Sequence, residues 1–427
     1  SGIWLSFDCR GRSMRIINRL LVLPLLLTLT NTFALADDWP QWRGPDRDGK
    51  SSESGLLDSW PAAGPKLLWQ TDDLGDGYST PSAADGIVYL ICNKSLAAEE
   101  VIALSLSDGS QLWSTKIGPV GKNQGPQYPG TRSTPTVDGD KVYALGSDGD
   151  LACLDAKSGS TRWSKNLRSE FGGKPGKWAY AESPLIDGDA LICSPGGSEA
   201  TVVALNKSDG EPIWKAPLAK ADDAGCSSPI VAAIAGTKQY VLFLSKGVVG
   251  LNAETGELLW RYTGTSDKDA NVQTPVVSGN LVYTGAGRVG GGLVRVSAGD
   301  SEPEEVYFGR TMPSGMGGNI LVDGVLFGTS GPTQICIDFE SGDKKWQDRG
   351  IGAASLCYAD SKIFLHGENN DVAVIEATGD GYKELTRFTP PNAPTGVKGK
   401  AWTYPIIVDG KLIIRHGGTV WCYDVSR

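Results

Sequence analysis

Five times along this 427-residue chain an apolar run ends in a Ser/Asp/Thr-Gly turn, and a Trp follows four residues after the Gly. The copies end at Trp113, Trp163, Trp214, Trp260 and Trp346, as in VIALSLSDGSQLW and QICIDFESGDKKW. A repeat of this kind constrains the fold more than any single motif, because each unit buries its apolar face only against a neighbour. A second element precedes each copy: a Ser/Thr-Pro start, an apolar stretch, an Asp-Gly turn and another apolar stretch, as in TPTVDGDKVYAL from Thr134. Its starts recur at Thr80, Ser183, Ser228, Thr274 and, as Tyr-Pro, at Tyr404. Pro81 to Pro405 spans 324 residues in seven steps, a mean period of about 46 that suits a four-stranded propeller blade.

Two further copies are degenerate but in phase, GNILVDGVLF from Gly318 and ASLCYADSKIFL from Ala354, and the fifth unit ends in Tyr307-Phe308 where others have Trp. The last unit, from Thr403, runs out of chain after three strands, while PKLLWQ around Trp69 has the Trp-terminated pattern of a fourth strand and lacks the three before it. Joining the two closes a ring and removes both exposed edges. The pattern therefore predicts an all-β, eight-bladed β-propeller over residues 66–427, closed by an N-terminal strand. An extended arm over residues 37–65 precedes it, and deleting 37–60 is expected to cost far less than deleting 37–70. The turns draw on 56 Gly, and no long amphipathic helix or Rossmann unit is visible.

From Met14 the chain reads MRIINRLLVLPLLLTLTNTFALA, with arginines before an apolar stretch and Ala34-Leu35-Ala36 as a small-residue cleavage site. This predicts a secretory signal peptide within residues 1–36, cleaved after Ala36, with Ser1–Ser13 as upstream translated sequence and a destination in the periplasm or outside the cell. The apolar run is interrupted by Pro, Asn and Thr and is shorter than the ~20 residues a membrane span needs. No Cys follows the cleavage site to suggest a lipid anchor. Loss of four Arg and one Asp takes the net charge from −9 to −12, which repels nucleic acid and anionic lipid. A monomer that binds neither is expected.

Of the eight Cys, Cys9 leaves with the leader. Cys153, Cys336 and Cys422 stand where other repeats have Ala103, Ala204 or Gly250, so most thiols read as small packing residues rather than disulfide partners. There is no Cys-x-x-Cys-His for covalent haem.

Chain direction divides the two faces of the ring. The first-to-second and third-to-fourth turns are uniformly short, whereas the blade crossings are long and irregular, as in residues 118–132, 166–182, 309–318 and 389–402. Variable loops on a rigid scaffold are the usual seat of function. The residues brought to the channel mouth on that face are Tyr78, Arg132, Trp178, Tyr180, Glu182, Gln273, Asn319, Trp402 and Tyr404. Such a set either stacks on a planar or sugar-like ligand or plugs the channel by internal hydrogen bonds.

Three patterns are set aside. Gly285–Gly290 matches G-x-G-x-x-G, but a strand follows it and not a helix. His366 and His416 occupy matching positions in adjacent blades without a clear carboxylate to complete a metal site. Asp46-Arg47-Asp48 reads as a solvated turn rather than a calcium loop.

The repeat, small residue-Leu-Asp/Asn-x-x-Ser/Thr-Gly-x-x-x-Trp, resembles the tryptophan-docking repeat of pyrroloquinoline-quinone-type propellers. DDWPQWRGPDRDG from Asp37 and IIRHGGTVWCYD near the end also resemble exported quinoprotein-like propellers of planctomycete-type bacteria. The resemblance implies a structural role for Trp69, Trp113, Trp163, Trp214, Trp260 and Trp346, each docked over the turn of a neighbouring blade. Propellers with this repeat include quinoprotein alcohol dehydrogenases and a scaffold lipoprotein of outer-membrane assembly. The dehydrogenase reading, alcohol or polyol oxidation, would require pyrroloquinoline quinone, calcium, an adjacent-Cys disulfide and a catalytic Asp. The chain has no Cys-Cys pair and no Asp among the mouth residues. The preferred reading is an exported, non-catalytic binding or scaffold propeller without a cofactor, recognising a small molecule or protein at the channel mouth.

Overall fold

A computed structural model of the protein describes residues 38–122, 130–219, 222–267, 269–393 and 400–427. The expected leader and Cys9 lie outside them. The described residues form eight four-stranded antiparallel sheets. Seven use consecutive strands, with innermost strands Ser82–Ala84, Thr136–Asp138, Leu185–Asp187, Ile230–Ile234, Val276–Ser278, Ile320–Val322 and Ala354–Ala359, blades 1 to 7 in order. Blade 8 runs outward from Ile406–Val408, and its outermost strand is Lys66–Thr71, paired antiparallel with Thr419–Asp424. The eight-bladed ring is closed by the N-terminal strand as the sequence predicts.

Local chemistry explains the hairpins. At Asp85-Gly86, Asp323-Gly324 and Asp409-Gly410 both turn residues have positive φ, between 47° and 78°, the geometry of a two-residue turn whose twist matches the strands it joins. At the G-x-G-x-x-G match, Gly285 pairs with Gly291 across a hairpin, so this segment is strand, turn, strand.

The inter-blade core rests on the repeat Trp. In six blades it faces a small residue on the third strand: Ala103 opposite Trp113, Cys153 opposite Trp163, Ala204 opposite Trp214, Gly250 opposite Trp260, Cys336 opposite Trp346 and Cys422 opposite Trp69. In four of these the indole N–H reaches a carbonyl of the following blade's turn, Trp69 to Leu106 at 2.9 Å, Trp113 to Ala156 at 3.0 Å, Trp163 to Lys207 at 3.1 Å and Trp214 to Ala253 at 3.3 Å. Their rings lie on Gly109, Gly159, Gly210 and Gly256, each with positive φ and no room for a Cβ. Tyr307 takes the same place in blade 5, against Gly342, with its hydroxyl on the Phe339 carbonyl at 2.9 Å. Trp346 donates to the Thr378 carbonyl at 2.8 Å.

Trp260 departs from the expected docking. Its N–H goes to Gln239 Oε1 within its own blade at 2.7 Å. The following blade's turn is extended between Arg295 and Glu304, and its Gly299 has no heavy atom within 4 Å of a Cβ position, so it presents no seat for the ring. Blade 7 has no outer Trp; there Phe388 packs edge-on against Trp60 of the arm, centroids 5.7 Å apart.

The arm over residues 38–57 is packed against the ring. Trp39 exchanges two main-chain hydrogen bonds with Ala83 of blade 1, both 2.8 Å, and the Pro40 carbonyl accepts from Val137 of blade 2 at 2.7 Å. Arg47 donates to the Ser183, Pro184 and Pro229 carbonyls where blades 3 and 4 begin, with Ser183 at 3.1 Å and Pro229 at 2.8 Å. Trp42 reaches Thr274 of blade 5 and Arg43 the Asn319 carbonyl of blade 6. Tyr358 of blade 7 donates to the Gly49 carbonyl and accepts from Ser51, and Leu57 donates to the Val425 carbonyl of blade 8. One segment thus touches the inner side of every blade. Arg47 is buried rather than part of a solvated turn.

The docking arrangement makes a testable prediction. Gly159 and Gly188 both have positive φ, but a Cβ at Gly159 falls 2.5 Å from the Trp113 ring while one at Gly188 meets nothing. Gly188→Ala is expected to cost about 1 kcal/mol of backbone strain, and Gly159→Ala at least about 2 kcal/mol by also displacing the indole. Denaturant melts compare the two, and equal losses would refute ring docking as the inter-blade contact.

Candidate functional site

Described residues of the long crossings meet at one end of the channel, and there the structure holds a cavity of about 280 Å³. Its walls are Tyr78, Arg132, Trp178, Trp402 and Tyr404, five of the nine residues expected at the mouth, and Trp42 of the arm also lines it. The side chains are fixed by one another. Tyr78 and Trp402 pack with centroids 5.3 Å apart, and the Arg132 guanidinium lies 5.5 Å over the Tyr78 ring. Arg132 also donates to the Gly130 and Trp178 carbonyls at 2.8 and 3.2 Å. The Trp402 indole N–H donates to Glu368 at 2.7 Å, and Lys400 pairs with the same carboxylate at 2.6 Å. Trp42 meets the edge of Tyr404 at 4.7 Å, and the Tyr404 hydroxyl donates to the Met316 carbonyl at 2.8 Å.

The other four predicted residues are used inside the walls. Tyr180 is buried with its hydroxyl on the Pro195 carbonyl at 2.8 Å. Gln273 and Asn319 hydrogen-bond side chain to side chain, Nδ2 of Asn319 donating to Oε1 of Gln273 at 2.9 Å. Glu182 is buried beside Arg47 and accepts the Ser194 N–H. The mouth therefore combines both readings of the sequence, an open aromatic wall and an internally bonded plug. Trp42 escaped sequence reasoning because it lies in the arm and outside the repeat; the density of Trp and Arg in DWPQWRGPDRDG was the available signal.

The Ser/Thr-Pro starts frame the cavity. Thr134 N–H donates to Ser183 Oγ, Ser183 N–H to Ser228 Oγ and Tyr404 N–H to Thr80 Oγ1, at 2.9, 2.9 and 3.0 Å. Each such hydroxyl satisfies a buried amide of the preceding blade, which an apolar residue would leave orphaned at a cost of about 1–3 kcal/mol. The Pro next to it leaves no further amide to satisfy.

Burial dominates the electrostatics. It pushes Glu182 up to about 7 against the opposing pull of Ser194 and Arg47, and it pulls Arg47 down to about 9, still charged at neutral pH. Glu99, accepting from the Ser147 N–H and hydroxyl, is pushed up to about 7 by the same cause. Because the folded protein holds these protons more tightly than the unfolded chain, stability falls as pH rises from the ordinary carboxylate value of 4.5 through about 7. Glu182→Gln is expected to flatten that decline in a series of melts between pH 4.5 and 7.5, and an unchanged slope would remove Glu182 as a cause.

A second cavity, of about 300 Å³, opens on the Asp-Gly face, where short turns were expected to form none. The arm creates it, since Arg43, Asp46, Arg47, Asp48 and Lys50 supply the polar wall against the inner strands of blades 4 and 5.

His366 is buried, which pulls its pKa down, and its ring nitrogens lie 3.0 Å from the Thr403 carbonyl and 2.9 Å from the Asn370 side-chain amide; no cluster of three metal-type side chains occurs among the described residues. The mouth cavity does not match the quinone cofactor. Its described lining carries one arginine, no carboxylate and no adjacent cysteine pair. A polycarboxylate quinone with a bound calcium needs several cations and oxygen ligands, which this lining does not supply, and no redox step is derived from it.

The seven described cysteines are free thiols, and six are buried. Cys226 is half-buried and lines the mouth cavity, its thiol pushed up to about 11 by burial with Arg132 pulling the other way. Native protein spanning residues 37–427 is expected to release one thiol to a small reagent, faster as pH rises, and the other six only on unfolding. Thiols that appear only after reduction would contradict this assignment.

A family model described as outer membrane protein assembly factor BamB matches residues 51–176 and 97–348. This chain belongs to that family. Among curated relatives, BamB of Burkholderia pseudomallei is 27% identical over 150 residues, 34% of this chain and 36% of the relative, so the chain spans about a third of the length of that protein. Among solved structures, BamB from Moraxella catarrhalis superposes with a TM-score of 0.59 at 16% identity, covering 84% of this chain and all of that one. Quinohemoprotein alcohol dehydrogenase from Comamonas testosteroni gives 0.50 at 14% identity, over 91% of this chain and 81% of that one. At these identities the two structures establish the shared propeller fold.

Proposed function

We propose that this chain is an exported, non-catalytic binding propeller that holds a protein partner on its crossing face, with the aromatic mouth as the anchor pocket. The mouth cavity carries the proposal: Tyr78, Trp178, Trp402 and Trp42 form an apolar wall around one half-buried cation, an arrangement that grips an aromatic side chain. The relatives' name, outer membrane protein assembly factor, supports a partner that is a polypeptide. The apolar stretch after Met14 and the Ala34-Leu35-Ala36 site support export to the periplasm or beyond. The dehydrogenase alternative is less favoured, because the described mouth lining holds no carboxylate to act as a base or to bind calcium.

A synthetic peptide with aromatic residues at alternate positions, the pattern of a membrane-facing β-strand, serves as the test ligand. Its binding is followed by tryptophan fluorescence and by protection of Cys226 from a thiol reagent. Trp402→Ala or Arg132→Ala is expected to weaken binding by about 2 kcal/mol, the loss typical of a buried anchor. Asp138→Ala or Lys157→Ala on the opposite face should leave it unchanged, with melting curves confirming that each variant is folded. If Asp138→Ala abolishes binding and Trp402→Ala does not, the mouth is not the site.

A further inference from the structure

We propose that the channel is a peptide-binding site in its own right, specific for a looped Trp- and Arg-bearing segment, and that residues 38–57 occupy it as a ligand supplied by the same chain. The inference is independent of what the mouth binds. It rests first on the form of the contacts. The arm meets the ring through its own backbone, two arginines and the buried side chains of Trp39 and Leu56, as a bound peptide meets a groove. The receptor atoms also belong to the blades themselves. The carbonyls of Ser183, Pro184 and Pro229 converge because two Ser/Thr-Pro strand starts lie side by side, and they make a hole for one cation, with buried Glu182 adding an attractive charge. Arg43 fills a second such place, donating to the Asn319 carbonyl and lying 5.7 Å over the Tyr404 ring.

The path of the arm makes the ligand separable. Both ends lie on the Asp-Gly face: Asp38 accepts from Asp85 N–H at 3.2 Å, and Gly55 and Leu57 bond to Arg427 and Val425 at 2.9 and 2.8 Å. Between these ends the segment rises as far as Trp42 at the mouth cavity and returns. It is an inserted loop and not a thread, so it can leave and re-enter a closed ring. Its only covalent tie to blade 8 passes through Pro61–Ala63, which is exposed.

The experiment uses the whole chain. A recognition sequence for a specific protease is inserted between Ala62 and Ala63, and the folded protein is cut there. The freed arm is expected to co-elute with the ring at about 10 µM and to exchange with a fluorescent peptide of residues 38–57, read by anisotropy. Exchange should proceed without loss of the β-sheet circular dichroism signal. A peptide with Arg43→Ala and Arg47→Ala should compete at least about 100-fold less well, because several charged hydrogen bonds are lost together. As the native arm is displaced by dilution, Cys226 should react faster with a thiol reagent, since Trp42 is withdrawn from the cavity that both residues line. The proposal is overturned if the cut arm of the unaltered protein elutes apart from the ring, if exchange requires unfolding, or if the double-alanine peptide competes as well as the native sequence.

Discussion

The ring depends on one contact made repeatedly: an aromatic ring at the end of one blade lying flat on a glycine turn of the next. Flat antiparallel sheets have no intrinsic reason to stack radially, and their apolar faces alone would permit many angles. A ring that covers a glycine and donates to a fixed carbonyl sets both the spacing and the angle, as at Trp113 on Gly159. The small residue opposite each indole, Ala, Gly or Cys, clears the space the ring needs within its own sheet. Burial of Cys153, Cys336 and Cys422 follows from the same demand, which explains three of the seven described thiols as packing atoms.

Most of the fold was legible because the repeat writes each blade separately. The turn types, the closing strand around Trp69 and the division into a short-turn face and a long-crossing face all follow from local patterns. Trp260 was not legible, since its docking depends on a turn in the next blade that lengthens without altering the Trp motif. At the mouth, sequence order identified which residues arrive there but not which way they face. Tyr78 and Trp402 look into the cavity, while Tyr180 and Glu182, equally close in sequence to a strand start, turn into the wall to satisfy Pro195 and Ser194. That choice is made by hydrogen-bond partners distant in sequence, which spacing does not encode.

The arm was the largest gap between sequence and structure. A segment rich in Gly, Pro and alternating charge has the composition of a solvated linker. Its buried arginines are stabilised by backbone carbonyls that exist only once the blades are arranged, so nothing local announces their burial. The same placement makes the floor of the mouth cavity from a residue outside the repeat, joining the two faces of the ring through one short stretch of chain.

The pairing of Lys66–Thr71 with Thr419–Asp424 also has a bearing on time. The first strand of the ring to be synthesised finds its partner only in the last. Until that one arrives, blades can form in succession, each from neighbouring sequence, but blade 8 waits with an edge open and the arm has no complete channel to enter. Folding should then proceed as a growing arc whose final event is a single cooperative closure, and the interval before it is when the chain most needs protection from pairing with another copy of itself.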